Sequence, residues 1–157
     1  QVLSRTYPLE HTSTKNSFVN AKKEDAKQFV GQDHVTYYDY PKGAVYVLPN
    51  TGGTKEYDSI YDRSLAHIKK VRPELSWLDQ KKLDHYNSLF KIGKQPQKTD
   101  AFNNKHENNR DSSNQNFSVY EVKGNQLKVK IYQLSGDISK GEQRHIQLVD
   151  EFGISKD

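Results

Sequence analysis

A two-residue turn constrains this chain most. Gly124-Asn125 separates two runs, Phe117–Lys123 and Gln126–Leu134, and places Gly first, as a type II′ hairpin prefers. In the second run Leu127, Val129 and Ile131 alternate with Lys128, Lys130 and Tyr132. A period of two puts the first set on a buried face and the second in water, so the pair belongs near a sheet edge. His145–Val149 reads as a returning last strand, and Asp150–Asp157 as a terminal tail.

Upstream, Ala44–Leu48 (AVYVL) is an unbroken β-branched and aromatic run that reads as a strand buried on both faces. Val35–Tyr40 precedes it across Pro41-Lys42-Gly43, so the two read as an antiparallel hairpin. Gln1–Leu9 contains a short strand ending near Pro8, and Asn20 is placed to cap a helix over Lys22–Val30 that stops at Gly31. Two amphipathic helices follow. Ser59–Val71 opens with the capping-box pattern Ser59…Asp62 and ends at Pro73; Trp77–Phe90 ends at Gly93. Together they predict a helical hairpin, with Trp77 packed between the helices and the sheet. Lys94–Asn116 has only Ala101 and Phe102 as apolar side chains and reads as a long polar surface loop. The expected fold is α+β, one domain over 1–157, with an antiparallel or mixed sheet and the helical hairpin packed on one face.

Composition narrows the function classes. Of the 157 residues 32% are hydrophobic, so the core is small for the length. Twenty-four basic residues against 20 acidic ones give a net charge of +4, a mixed surface and not a nucleic-acid stripe. No cysteine is present, which excludes disulfides and thiolate metal sites. No methionine is present either, so residue 1 reads as an internal position of a processed or longer protein. No apolar run has the length of a membrane span. Leu48-Pro49-Asn50-Thr51-Gly52 matches an LPxTG sorting signal, but the apolar segment and basic tail that such a signal needs do not follow it.

Local signals for chemistry are sparse. His11, His34, His67, His85, His106 and His145 show no i, i+2 or i, i+4 pair that would clamp a metal. There is no nucleophile elbow, P-loop or dinucleotide fingerprint, and no catalytic residue is assigned. Arg5 stands inside an apolar strand, where it reads either as an anion or carboxylate binder or as half of a structural salt bridge. Gly52-Gly53 reads either as a plain turn or as a place where the backbone approaches a ligand.

Three segments together carry a resemblance. Gln1–Leu9 (QVLSRTYPL) resembles the stretch of calcineurin-like metallophosphoesterases, of the purple-acid-phosphatase-like branch, in which a GHxH metal motif runs into VYSRTYPL-type sequence. Gly43–Asp58 (GAVYVLPNTGGTKEYD) is similar to a later strand and turn of that family. Phe117–Tyr132 followed by Val149–Ile154 (VDEFGI) is similar to its closing hairpin and tail.

The resemblance implies a layered α/β/β/α sandwich that this chain completes as the C-terminal portion. It implies two divalent metal ions in the parent protein, held by Asp, Asn and His, with a metal-bound hydroxide attacking phosphorus in line. Most of those ligands would precede residue 1, and Gln1 falls at the final His of GHxH, so no cofactor is expected in this chain alone. It further implies substrate contact by Arg5, by the backbone of Thr51, Gly52, Gly53 and Thr54, and by Lys55. The partners implied are the N-terminal catalytic portion and a phosphoester, with no nucleic acid and no membrane span. An exposed sheet edge would offer a route to a homodimer. The location implied is extracytoplasmic, in a bacterium. The competing reading is a stand-alone glycan- or peptide-binding module of a bacterial surface protein, with Tyr37, Tyr38, Tyr40, Tyr46, Tyr57 and Tyr61 as stacking surface.

Overall fold

The computed structural model describes residues 3–11, 21–48, 55–56, 63–92, 109–110 and 115–156. Its strands are β1 (Ser4–Thr6), β2 (Leu9–His11), β3 (Ala21–Lys23), β4 (Gln28–Val30), β5 (Thr36–Asp39), β6 (Val47–Leu48), β7 (Lys55–Glu56), β8 (Phe90–Ile92), β9 (Asn109–Arg110), β10 (Gln115–Lys123), β11 (Gln126–Ser135) and β12 (His145–Ser155). Among the described residues the α-helices are α1 (Leu65–Val71) and α2 (Gln80–Ser88). Neither is long and apolar enough to cross a membrane.

The predicted C-terminal hairpin forms in its predicted register. Lys123 pairs with Gln126, and the ladder runs without a shift to Gln115 opposite Leu134. Gly124 takes φ 57°, while Asn125 keeps φ negative, which is the type II′ arrangement. The last strand runs much further than His145–Val149. β12 continues through the expected tail to Ser155, because Phe152 and Ile154 pair with Val129 and Leu127 and share their buried face. β5 then adds parallel to β12, and β4 adds antiparallel to β5, giving a mixed sheet in the order β10-β11-β12-β5-β4. Leu3, Tyr38, Val129, Ile131 and Phe152 form the main core on one face of this sheet.

Several other expectations are corrected. Val35–Tyr40 and Ala44–Leu48 do not pair: β5 pairs with β4 and β12, whereas β6 pairs with β1. Ala44–Leu48 is also not a doubly buried strand, since Tyr46 and Leu48 are half-exposed and only Val47 and Leu48 are extended in a ladder. Lys22–Val30 is no helix but two short strands. Glu24 between them turns its carboxylate onto the N–H groups of Lys42 (3.0 Å) and Gly43 (2.6 Å), a tie that fixes an extended chain there. The residues of the Ser59…Asp62 capping box lie outside those described; the first helix starts later, with the Ser64 side chain accepting from the His67 N–H. The second helix starts at the Asp79 cap.

The fold is therefore predominantly β, and the expected helical hairpin on one face of a sandwich sheet is not what forms. The physical reason lies in how little each helix buries. Within α1 only Ile68 is buried, and within α2 only Leu83. These two side chains close on Leu78 in a small cluster of their own, distinct from the main core. A stripe that narrow cannot cover a five-stranded sheet. Leu9, Ala21 and Leu89 make a third cluster beneath the small strands. Trp77, expected between helices and sheet, is 50% exposed and meets Tyr86 edge-on at 6.5 Å.

Candidate functional site

Arg5 is the most buried charge on the chain's small sheet. β1 is the middle strand of the order β6-β1-β8, which pulls Arg5 inward until it is 3% exposed. Its Nε donates to Asp150 Oδ2 at 2.5 Å and its Nη2 to Asp150 Oδ1 at 2.8 Å. Nη1 lies 3.4 Å from the Tyr38 hydroxyl, and the guanidinium carbon stands 4.4 Å from the centroid of the Phe152 ring. Burial alone lowers the pKa of such a group, but the hydrogen bonds and charge of Asp150 outweigh it and hold Arg5 above its ordinary value. Of the two sequence readings of Arg5, this geometry is that of a bidentate internal salt bridge.

Of the other assigned residues, the structure describes Lys55. Ser4 pairs with Leu48 and Arg5 with Val47, antiparallel. The chain before Ser4 and the chain after Leu48 therefore depart from adjacent points. Gln1, Thr51, Gly52, Gly53 and Thr54 lie outside the described residues. Lys55 opens β7 and pairs in the backbone with Arg110. The described residues thus bring together the roots of the Arg5 and Thr51–Thr54 segments, and do not bring Arg5 itself to an open surface.

A cleft of about 630 Å³ opens beside this sheet, between β1, β6 and β8 and the stretch from Leu75 to Leu89 that includes α2. Thr6, Tyr46, Leu48, Trp77, Tyr86 and Phe90 are among its walls, and most of the wall is carbon. At its rim the His11 Nε2 and the Tyr46 hydroxyl are 3.4 Å apart.

A second groove, of about 570 Å³, lies on the outer face of the five-stranded sheet. Its origin is a straight row of paired positions: Glu121, Lys128, Gly153, Tyr37 and Phe29, one from each strand. Gly153 is the gap in that row. The Tyr37 ring lies where a Cβ at Gly153 would be, within 2.1–2.7 Å of it, and Phe29 stacks on Tyr37 at 5.4 Å. Across the gap Asp33 Oδ2 accepts from the Tyr37 hydroxyl (3.0 Å) and from Lys128 Nζ (3.2 Å), and Glu121 holds Lys128 from the other side at 2.9 Å. Partial desolvation raises Asp33, but the Val35 N–H, Lys128 and Tyr37 together bring it below the usual carboxylate range. Desolvation and then the Asp33 bond push the Tyr37 hydroxyl up. The Glu121 and Asp33 bonds push Lys128 well up.

Sequence reading missed this charged row. Half of it was visible: counting back from Gly124-Asn125 places Glu121 opposite Lys128. Asp33 and Tyr37 arrive through the parallel β12–β5 pairing, which no local pattern announces. Among the described residues no group of three His, Asp or Glu side chains is placed to hold a metal ion. No protein family, no curated protein and no solved structure matches this chain.

Proposed function

We propose that this chain is the C-terminal, structural portion of a metal-dependent phosphoesterase, inert by itself because most of the residues that hold the metals would precede residue 1. One observation carries the reading. The three segments on which the resemblance rests lie far apart in sequence and converge on Arg5. Its strand pairs with Val47 of the second segment, and its guanidinium is held by Asp150 and covered by Phe152 of the third.

The chain's own contribution is to pair Ser4 with Leu48 at the end of the β6-β1-β8 sheet that leads to the proposed Pro49–Lys55 loop. In this reading that loop borders the substrate, with the N–H groups of Thr51–Thr54 and the charge of Lys55 turned to a phosphate oxygen. The partners are then the preceding catalytic portion and a phosphoester, in an extracytoplasmic bacterial setting. Hydrolysis of chromogenic phosphoesters, assayed on the chain and on a longer polypeptide carrying it, tests the proposal.

A second reading, a glycan- or peptide-binding module, draws support from the carbon-walled cleft, where Trp77 and Tyr46 are each about half exposed. Of the tyrosines that favoured it, Tyr37 and Tyr38 are buried, Tyr40 and Tyr46 are exposed rings, and Tyr57 and Tyr61 lie outside the described residues. Titration of oligosaccharides and peptides into the chain, read by Trp77 fluorescence, tests this reading independently of hydrolysis.

A further inference from the structure

The cleft beside the β6-β1-β8 sheet has two kinds of wall. Its buried part is aliphatic: Leu9, Leu78 and Leu89 are each 7% exposed or less. Its open part is Tyr46, Leu48 and Trp77, each about half exposed, so solvent reaches two aromatic rings over an aliphatic wall. At about 630 Å³ the cleft falls within the range of small-molecule sites, about 300–1,000 Å³.

This wall selects among ligands by what it lacks. Among the described residues that line it there is no Lys, Arg, Asp or Glu. A charged group entering it would leave water without gaining a counter-charge. A sugar fares little better, because each hydroxyl taken from water needs a hydrogen-bond partner, and most of this wall is carbon. An alkyl chain fits the chemistry of the wall, but it loses conformational freedom on binding and gains no stacking. An uncharged aromatic ring escapes all three costs and gains stacking on Trp77 or Tyr46.

Leu48 relates the cleft to the chemistry. It lines the cleft and is followed by Pro49, so the cleft adjoins the start of the Pro49–Lys55 loop, which in the phosphoesterase reading borders the phosphate. We infer that the cleft holds an uncharged aromatic group, and that this group is the alcohol part of the phosphoester. The alcohol assignment rests on the phosphoesterase reading, and the ring site does not.

Calorimetric titration of 2-naphthol, which is neutral at neutral pH, into the chain tests the ring site. Saturable binding is expected. Leu48→Glu sets a charge in the wall and is expected to weaken that binding by about tenfold or more. Trp77→Ala, at a half-exposed position, is expected to weaken it by about threefold to tenfold. Val122→Glu, at an exposed position of the other sheet, is expected to change nothing. The same variants in a longer polypeptide that carries the preceding portion test the alcohol assignment. There Leu48→Glu is expected to raise KM for 2-naphthyl phosphate by about tenfold with kcat held, and to leave KM for glycerol phosphate unchanged. No binding of 2-naphthol at about 1 mM overturns the inference, as when another part of the chain or a second copy fills the cleft. Hydrolysis with a naphthyl phosphate KM that Leu48→Glu does not move also overturns it, and leaves the phosphoesterase reading standing. Naphthol binding with no hydrolysis of either ester by the longer polypeptide removes that reading, and the alcohol assignment with it. If Leu48→Glu does not fold, Trp77→Ala carries the same comparison.

Discussion

Arg5 ties the first described strand to the last one, and its surroundings predict what its loss does. Removing one partner of a buried, bidentate pair leaves the other charge stranded. Arg5→Ala is expected to lower stability by about 3–5 kcal/mol in urea denaturation, with both groups of the pair nearly inaccessible. An Arg5 held free for a ligand would instead tolerate alanine with little change. The Asp33–Lys128–Glu121 row makes a prediction about pH. Asp33 and Glu121 are both depressed in the folded chain. Their stabilising contribution is complete above the unfolded carboxylate range, about pH 4, and is lost as pH falls through the lower folded values. Lys128 is raised, so its contribution is present below its unfolded value and is lost only at more alkaline pH, as pH rises through the folded one. Urea midpoints measured from about pH 7 to pH 2.5 should therefore drop on the acid side, and Lys128→Met should flatten that drop. An equal drop in the variant means that the row is not what titrates.

Elements differ in how much of them a local pattern reveals. The β10–β11 hairpin depends on a glycine at one backbone position, and Gly124→Val is expected to cost about 1–2 kcal/mol without moving the register, since nothing stands within 4 Å of a Cβ there. Hydrogen exchange on the variant checks this: protection should fall evenly along both strands and not shift by one residue. That hairpin was legible because its turn, its alternation and its pairing lie within one continuous stretch of chain. The helices were legible as to kind, and their starts were displaced to Ser64 and Asp79, where capping hydrogen bonds are made. β5 and β6 were legible as extended and misread as partners. Each is claimed by a distant strand, β5 by β12 and β6 by β1, and the short link Pro41–Gly43 joins two different sheets. The misread helix over Lys22–Val30 shows the same priority of distant contact. Ala26 packs on the main core, and Glu24 is taken by Lys42 and Gly43. As for the candidate site, Arg5 was identified from the sequence and its partner Asp150, 145 residues away, was not.

At the scale of the whole molecule, the chain divides its small apolar content among separate clusters. A mixed five-stranded sheet covers the largest of them, and the helices serve a lesser one. That arrangement replaces the expected sandwich layer of helices. It leaves intact the convergence of three resembling segments on Arg5, from which the phosphoesterase reading draws its support. The most direct measurement is hydrolysis of a chromogenic phosphomonoester and phosphodiester in the presence of Mn²⁺, Zn²⁺ or Fe²⁺. It is run on this chain and on a longer polypeptide in which a metal-binding portion precedes residue 1. Metal-dependent hydrolysis by the longer polypeptide and none by the chain alone is the result expected of a C-terminal portion that lacks most of the metal ligands. Hydrolysis by the chain alone, or none by either, would contradict it.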